Sequence, residues 1–153
     1  MDGPVLSTGV VVNGSTHDVR EWFHSLQEHP ERYQFETHEG FDFVEGGFGE
    51  PGARFRTRER FLCFHLELVF ELTSVREASF SFHLTRPISM GIWGRFRTEE
   101  ADATKTRLFL EIGSRNRVGR LLLRFYPVAA AVRRQIAAEV NHIKSSIERM
   151  SAV

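Results

Sequence analysis

The stretch Phe125–Ile147, FYPVAAAVRRQIAAEVNHIKSSI, places Phe125, Ala129, Val132, Ile136, Val140, Ile143 and Ile147 at steps of four, three, four, four, three and four. That period is helical, and these residues make one apolar stripe along a long C-terminal helix. Arg133, Arg134, Glu139, Lys144, Glu148 and Arg149 fall largely off the stripe and read as its wet side. Pro127 marks the first turn of this helix or a kink in it.

Upstream of the helix the period is two. Phe41 and Phe43 alternate with Asp42 and Val44, and Phe55 to Phe61 alternates with arginines. Phe64, Leu66, Leu68, Phe70 and Leu72 alternate with His65, Glu67, Val69, Glu71 and Thr73, and Phe80, Phe82 and Leu84 with Ser81, His83 and Thr85. GIWGRFRTEE and TKTRLFLEIGS, separated by the turn-like Ala101–Ala103, complete six successive strands, each polar on one side. This is the pattern of an antiparallel meander. Val5 to Asn13 is a further β-rich run that ends at Asn13-Gly14, a turn signal. Between it and the meander lies STHDVREWFHSLQEH, where Ser15 or Thr16 caps a helix carrying Val19, Trp22, Phe23 and Leu26 at helical spacing. Pro30 ends that helix, and PERYQF reads as one more short turn.

The order of elements is therefore strand, one or two short helices, six strands, long helix. A seven-stranded antiparallel sheet with one apolar face must cover that face, and the C-terminal helix is the only element able to do so. The fold class is α+β, in one domain spanning residues 1–153. A curved sheet wrapped around one helix leaves a gap, and the fourteen phenylalanines, against two Tyr and two Trp, are the residues to line it.

This order resembles the helix-grip fold of the START and polyketide-cyclase superfamily (SRPBCC, the birch-pollen-allergen fold). The resemblance rests on DVREWFHSLQEHPERY as the opening helix and short turn, EPGARFRTRERF as the glycine-then-strand entry, and the tail GRLLLRFYPVAAAVRRQIAAEVNHIKSSIERM. It spans nearly the whole chain. It implies a hydrophobic ligand, such as a lipid, sterol, polyketide, isoprenoid or quinone, held between sheet and helix. Some members of such families are cyclases or hydrolases. The resemblance names no ligand and carries no catalytic signature.

Composition narrows the classes. Lys plus Arg number 20 and Asp plus Glu 20, so the formal charge is zero. A nucleic-acid module carries a basic excess, and nucleic acid is not an expected partner. Cys63 is the single cysteine, so no intrachain disulfide forms, which fits a reducing compartment. The N-terminal stretch has no basic start and too short an apolar run for a signal peptide, and no run approaches the ~20 residues of a membrane span. A cytoplasmic protein without integral membrane association is expected. Its oligomeric state is not legible.

Arg54, Arg56, Arg58 and Arg60 fall at every second position and invite an anion-binding reading. If Phe55 and Phe61 face the cavity, however, Thr57 and Glu59 face it too, and the arginines face outward. A tight turn near Leu62-Cys63 would set Arg58 opposite Glu67 and Arg54 opposite Glu71, so the outer faces match in sign without an external anion. Leu62-Cys63 is nonetheless poor turn chemistry. Gly47-Phe48-Gly49-Glu50-Pro51-Gly52 matches G-x-G-x-x-G, but a strand pattern follows it where a dinucleotide site needs a helix. It reads as a glycine-rich connection, or a lip over the cavity. His17, His24, His29, His38, His65, His83 and His142 contain no i,i+4 pair, so no metal site is expected. His65 and His83 read as outward, and His142 as facing the cavity edge. No cofactor is implied.

The expected function is binding, or transport, of a hydrophobic or amphipathic small molecule. The expected ligand-binding residues are Phe43, Phe55, Phe70, Phe80, Phe82, Trp93 and Phe96 from the sheet and Ile136, Val140 and Ile143 from the helix, with Tyr126 as a polar contact. Glu59, in phase with two phenylalanines, is desolvated if inside and is the candidate acid–base group. It otherwise sits at the rim in water. Two alternatives stand beside the binder: a cyclase- or dehydratase-type enzyme in the same cavity, and a protein-interaction module with a filled core.

Overall fold

The computed structural model describes residues 3–152. Seven antiparallel strands form one sheet: β1 Leu6–Asn13, β2 His38–Glu45, β3 Arg54–Phe61, β4 Phe64–Val75, β5 Ser79–Arg86, β6 Ile92–Asp102 and β7 Lys105–Ser114. Their order is β1-β7-β6-β5-β4-β3-β2. Every sequential pair from β2 to β7 is a hairpin, and β1 closes on β7. Helix α1 (Thr16–Ser25) and a 3-10 turn at Pro30–Tyr33 link β1 to β2. Helix α2 (Arg117–Arg124) and the long α3 (Tyr126–Ser151) end the chain. This is the helix-grip architecture.

The local signals act as the residues dictate. Ser15 caps α1: its Oγ accepts from Asp18 N–H at 3.1 Å, and Asp18 Oδ2 accepts from Ser15 N–H at 2.9 Å, a reciprocal box. On β3 the outward arginines meet carboxylates in the expected register, Arg54 opposite Glu71 and Arg58 opposite Glu67. Arg56 grips Asp42 with two bonds of 3.1 and 2.8 Å, and Arg60 lies 3.7 Å from Glu36. All four arginines are thus answered within the protein. The turn does fall at Leu62-Cys63, with Leu62 forced to φ +57°. That conformation costs a branched residue on the order of 1 kcal/mol, and the eight paired positions of β3 and β4 hold it.

Two boundaries differ from expectation. The β6–β7 turn sits at Ala103-Thr104, one step past the expected Ala101–Ala103, because Asp102 pairs with Lys105 and its side chain takes Thr104 N–H at 2.8 Å. The tail is also two helices. Pro127 has no N–H to return to Leu123, so α2 stops, Phe125 becomes extended at ψ 124°, and α3 restarts with Pro127 in its first turn. Phe125, the first member of the apolar stripe, is therefore 61% exposed at the junction.

The interior divides along α3. Its C-terminal half packs on β1, β7 and α1 through Val12, Val19, Trp22, Leu26, Leu108, Val140, Ile143 and Ile147, all buried. Trp22 Nε1 donates to Ser146 Oγ at 2.7 Å and ties α1 to α3. The N-terminal half of α3 instead spans the phenylalanine-rich strands. Among the described residues no helix is long and apolar enough to cross a membrane.

Candidate functional site

A cavity of about 260 Å³ lies between the inner face of β2–β7 and the N-terminal half of α3. Its walls are rings and branched chains, with Phe41, Phe43, Phe55, Phe70, Phe80, Phe82 and Phe96 from the strands and Val128, Val132 and Ile136 from α3. The rings hold one another edge-on and stacked: Phe55 meets Phe70 at 5.3 Å and Phe82 at 5.6 Å, and Phe80 meets Phe96 at 5.1 Å. Phe48 enters from the glycine-rich connection, 4.8 Å from Phe80 and 5.8 Å from Phe23. Gly49, at φ +98°, gives the chain the turn it needs just beyond that ring. The connection leads into a strand, not a helix, and builds no phosphate cradle.

Of the residues singled out in the sequence, Phe43, Phe55, Phe70, Phe80, Phe82, Phe96, Ile136 and Glu59 line this cavity. Trp93, Tyr126, Val140 and Ile143 do not. Trp93 shares the outward phase of Arg95, whose guanidinium lies 5.5 Å from its ring, and it lies on Gly113, where a Cβ would come within 2.5 Å of the indole. Tyr126 is 81% exposed at the α2–α3 junction. Val140 and Ile143 belong to the solid half of the core. His142 does not reach the cavity edge. Its Nε2 lies 2.6 Å from the carbonyl of Arg32, and its ring stacks on Phe35 at 4.8 Å. His65 and His83 pair with Glu39 and Glu71 on the outer face. No group of His, Cys, Asp and Glu among the described residues is arranged to hold a metal ion.

The polar part of the wall is a compact cluster that the sequence reading found only in part. Glu59 Oε2 accepts from Thr57 Oγ1 at 2.6 Å, and its Oε1 accepts from Gln135 Nε2 at 3.2 Å. Glu139 Oε1 accepts from Tyr33 Oη at 2.6 Å and lies 4.0 Å from His38 Nε2. Tyr33, His38, Thr57, Glu59, Gln135 and Glu139 all line the cavity. Sequence reading placed Glu139 on the wet side of α3. It stands three residues after Ile136 and four before Ile143, so helical geometry puts it on their face. Gln135, Glu139, His142 and Ser146 form a polar stripe beside the apolar one, and that spacing is the signal that was available.

Burial dominates the electrostatics of the cluster. It pushes the Glu139 carboxyl up to about 8, the charge of Glu59 adding to the effect and the Tyr33 hydrogen bond opposing it. Burial also raises Glu59, against the pull of Thr57 and Gln135. The Tyr33 phenol is held well above its usual value by burial and by Glu139. His38, 1% exposed, is lowered to about 4 by burial, with His142 contributing, so it is neutral at neutral pH. The cavity therefore carries two carboxyl groups, a phenol and a neutral imidazole, and among the described residues no lysine or arginine lines it.

No family model and no curated protein matches the chain. Solved structures do. The aromatase/cyclase Zhui from Streptomyces sp. R1128 superposes with a TM-score of 0.70 at 16% identity, over 94% of this chain and 93% of its own. TTHA0849 from Thermus thermophilus gives 0.70 at 13% identity, over 95% and 98%. The major latex-like protein 151 of Panax ginseng gives 0.56 at 13%, over 85% and 95%. These are likenesses of fold: the chain has the helix-grip fold that these proteins share.

Proposed function

We propose that the protein binds, and carries, a hydrophobic or amphipathic small molecule of lipid, polyketide or isoprenoid type between its sheet and α3. The observation that carries this reading is the apolar cavity itself. Such a cavity forgoes the apolar contacts that a filled core would make, and a bound apolar molecule would restore them. Its size is near the lower end of small-molecule sites, roughly 300–1,000 Å³, and its few convergent polar groups fit such a site. Zhui, of the same fold, is by its name an aromatase/cyclase, which supports a small-molecule site.

Acid–base chemistry on the bound molecule is a second reading. It is favoured by the buried Glu139–Tyr33 hydrogen bond and by Glu59 on the same wall. Native mass spectrometry of freshly purified protein, followed by organic extraction, tests the first reading. The expected result is a co-purified apolar mass released by denaturation. An apo mass, together with refusal of xenon, would overturn it. If the extracted molecule is returned and converted, and Glu59→Gln stops conversion without weakening binding, the second reading takes its place.

A further inference from the structure

We infer that the cavity takes an amphiphilic cation, an amine with an aromatic or branched apolar body, whose ammonium group sits between Glu59 and Glu139. The inference rests on the binding reading above and names the ligand class for that site. Two carboxyl groups from different elements, β3 and α3, line one small apolar cavity that, among the described residues, no lysine or arginine lines. Two buried carboxyls with no cation beside them do not both ionise, and a ligand that brings the cation lets both carry their charge.

Three further observations point the same way. Tyr33 and Phe41, stacked at 5.2 Å, line the cavity alongside Glu139 and surround it with aromatic rings, which suit a cation. His38 lines the same cavity and is buried, and its Nδ1 has no hydrogen-bond partner. Two neighbouring titratable groups are neutral at neutral pH. Tyr33, from the 3-10 turn, is a neutral phenol, and His38, from β2, is a neutral imidazole. His142, one turn along α3, is engaged with the Arg32 carbonyl.

In the empty protein Glu139 holds a proton at neutral pH. Entry of an ammonium displaces it: the carboxyl O–H bond breaks, the proton passes to solvent, and the carboxylate accepts hydrogen bonds from the ammonium. Binding an amine therefore releases up to one proton per ligand, while binding an alcohol releases none.

The test uses three isosteric probes, 4-phenylbutylamine, 4-phenylbutanol and 4-phenylbutyrate. Calorimetry at pH 7.5 in two buffers of different ionisation enthalpy reads both affinity and proton release. The expected result is that the amine binds at least tenfold more tightly than the alcohol and with proton release, and the acid binds most weakly. Glu139→Gln is expected to abolish the release and most of the amine's advantage, leaving the alcohol's affinity within about twofold. Should the alcohol or the acid bind as well as the amine, the inference fails and the binding reading stands. It fails in the same way if all three probes are refused while an uncharged dye still enters the cavity. If the dye is refused too, both fall.

Discussion

Glu139 is the residue on which most of the chemistry turns. Its folded value, about 8, lies above its unfolded 4.5, so the folded state holds a proton that the unfolded state has released across that interval. Its contribution to stability is full below pH 4.5 and is lost as pH rises through 8. His38 runs the other way. Lowered from 6.5 to about 4, it costs stability as pH falls through that window. The two oppose each other between about 4.5 and 6.5, Glu59, also raised, adding to the side of Glu139, and above 6.5 His38 no longer offsets the carboxyls. Urea unfolding is expected to show stability falling more steeply from pH 6.5 to 8, by about 2 kcal/mol, than from 5 to 6.5. Glu139→Gln should flatten the fall, and an unchanged slope would mean that Glu139 is not held protonated. Glu59 was legible because strand phase alone places it with Phe55 and Phe61. Glu139 was missed because counting only apolar positions discards a carboxyl on an apolar face. Trp93 was misplaced against its own phase: it sits an odd number of residues from Phe96, so the two cannot share a face of β6.

At the scale of elements, α3 does two jobs that one continuous stripe conceals. Ile136 and Ile143 are indistinguishable in sequence pattern, and both are buried. Ile143 is fully buried in the core cluster, whereas Ile136 forms part of the cavity wall. Ile143→Ala should cost about 3–5 kcal/mol, the upper range for such a truncation, and Ile136→Ala about 2 kcal/mol, because a side chain beside a void has fewer contacts to lose. Paired denaturation curves would check the ranking, and equal costs would argue that the N-terminal half is packed as tightly as the other. The strands were read correctly even where a local rule opposed them. Opposite charges and inward phenylalanines on β3 and β4 outweigh a turn built from Leu62. The break between α2 and α3 was foreshadowed only by Pro127, and a lone proline does not say whether a helix bends or stops.

The whole molecule is a sheet gripping one helix, solid at one end of that helix and hollow at the other. The architecture was legible because alternation, helical period and element order agree with one another. The hollow was not, since phenyl rings fill space as readily as they line it, and pattern carries no information about volume. The account's central claim is that the hollow admits a ligand. Fluorescence titration with the uncharged dye N-phenyl-1-naphthylamine, on the wild-type protein and on Val132→Trp, tests it most directly. Val132 lines the cavity from α3, and an indole there fills much of the space. The account predicts saturable enhancement at one site per chain in the wild type and its loss in the filled variant, with the fold of both verified by circular dichroism. Enhancement absent from the wild type, or unchanged in Val132→Trp, would contradict it.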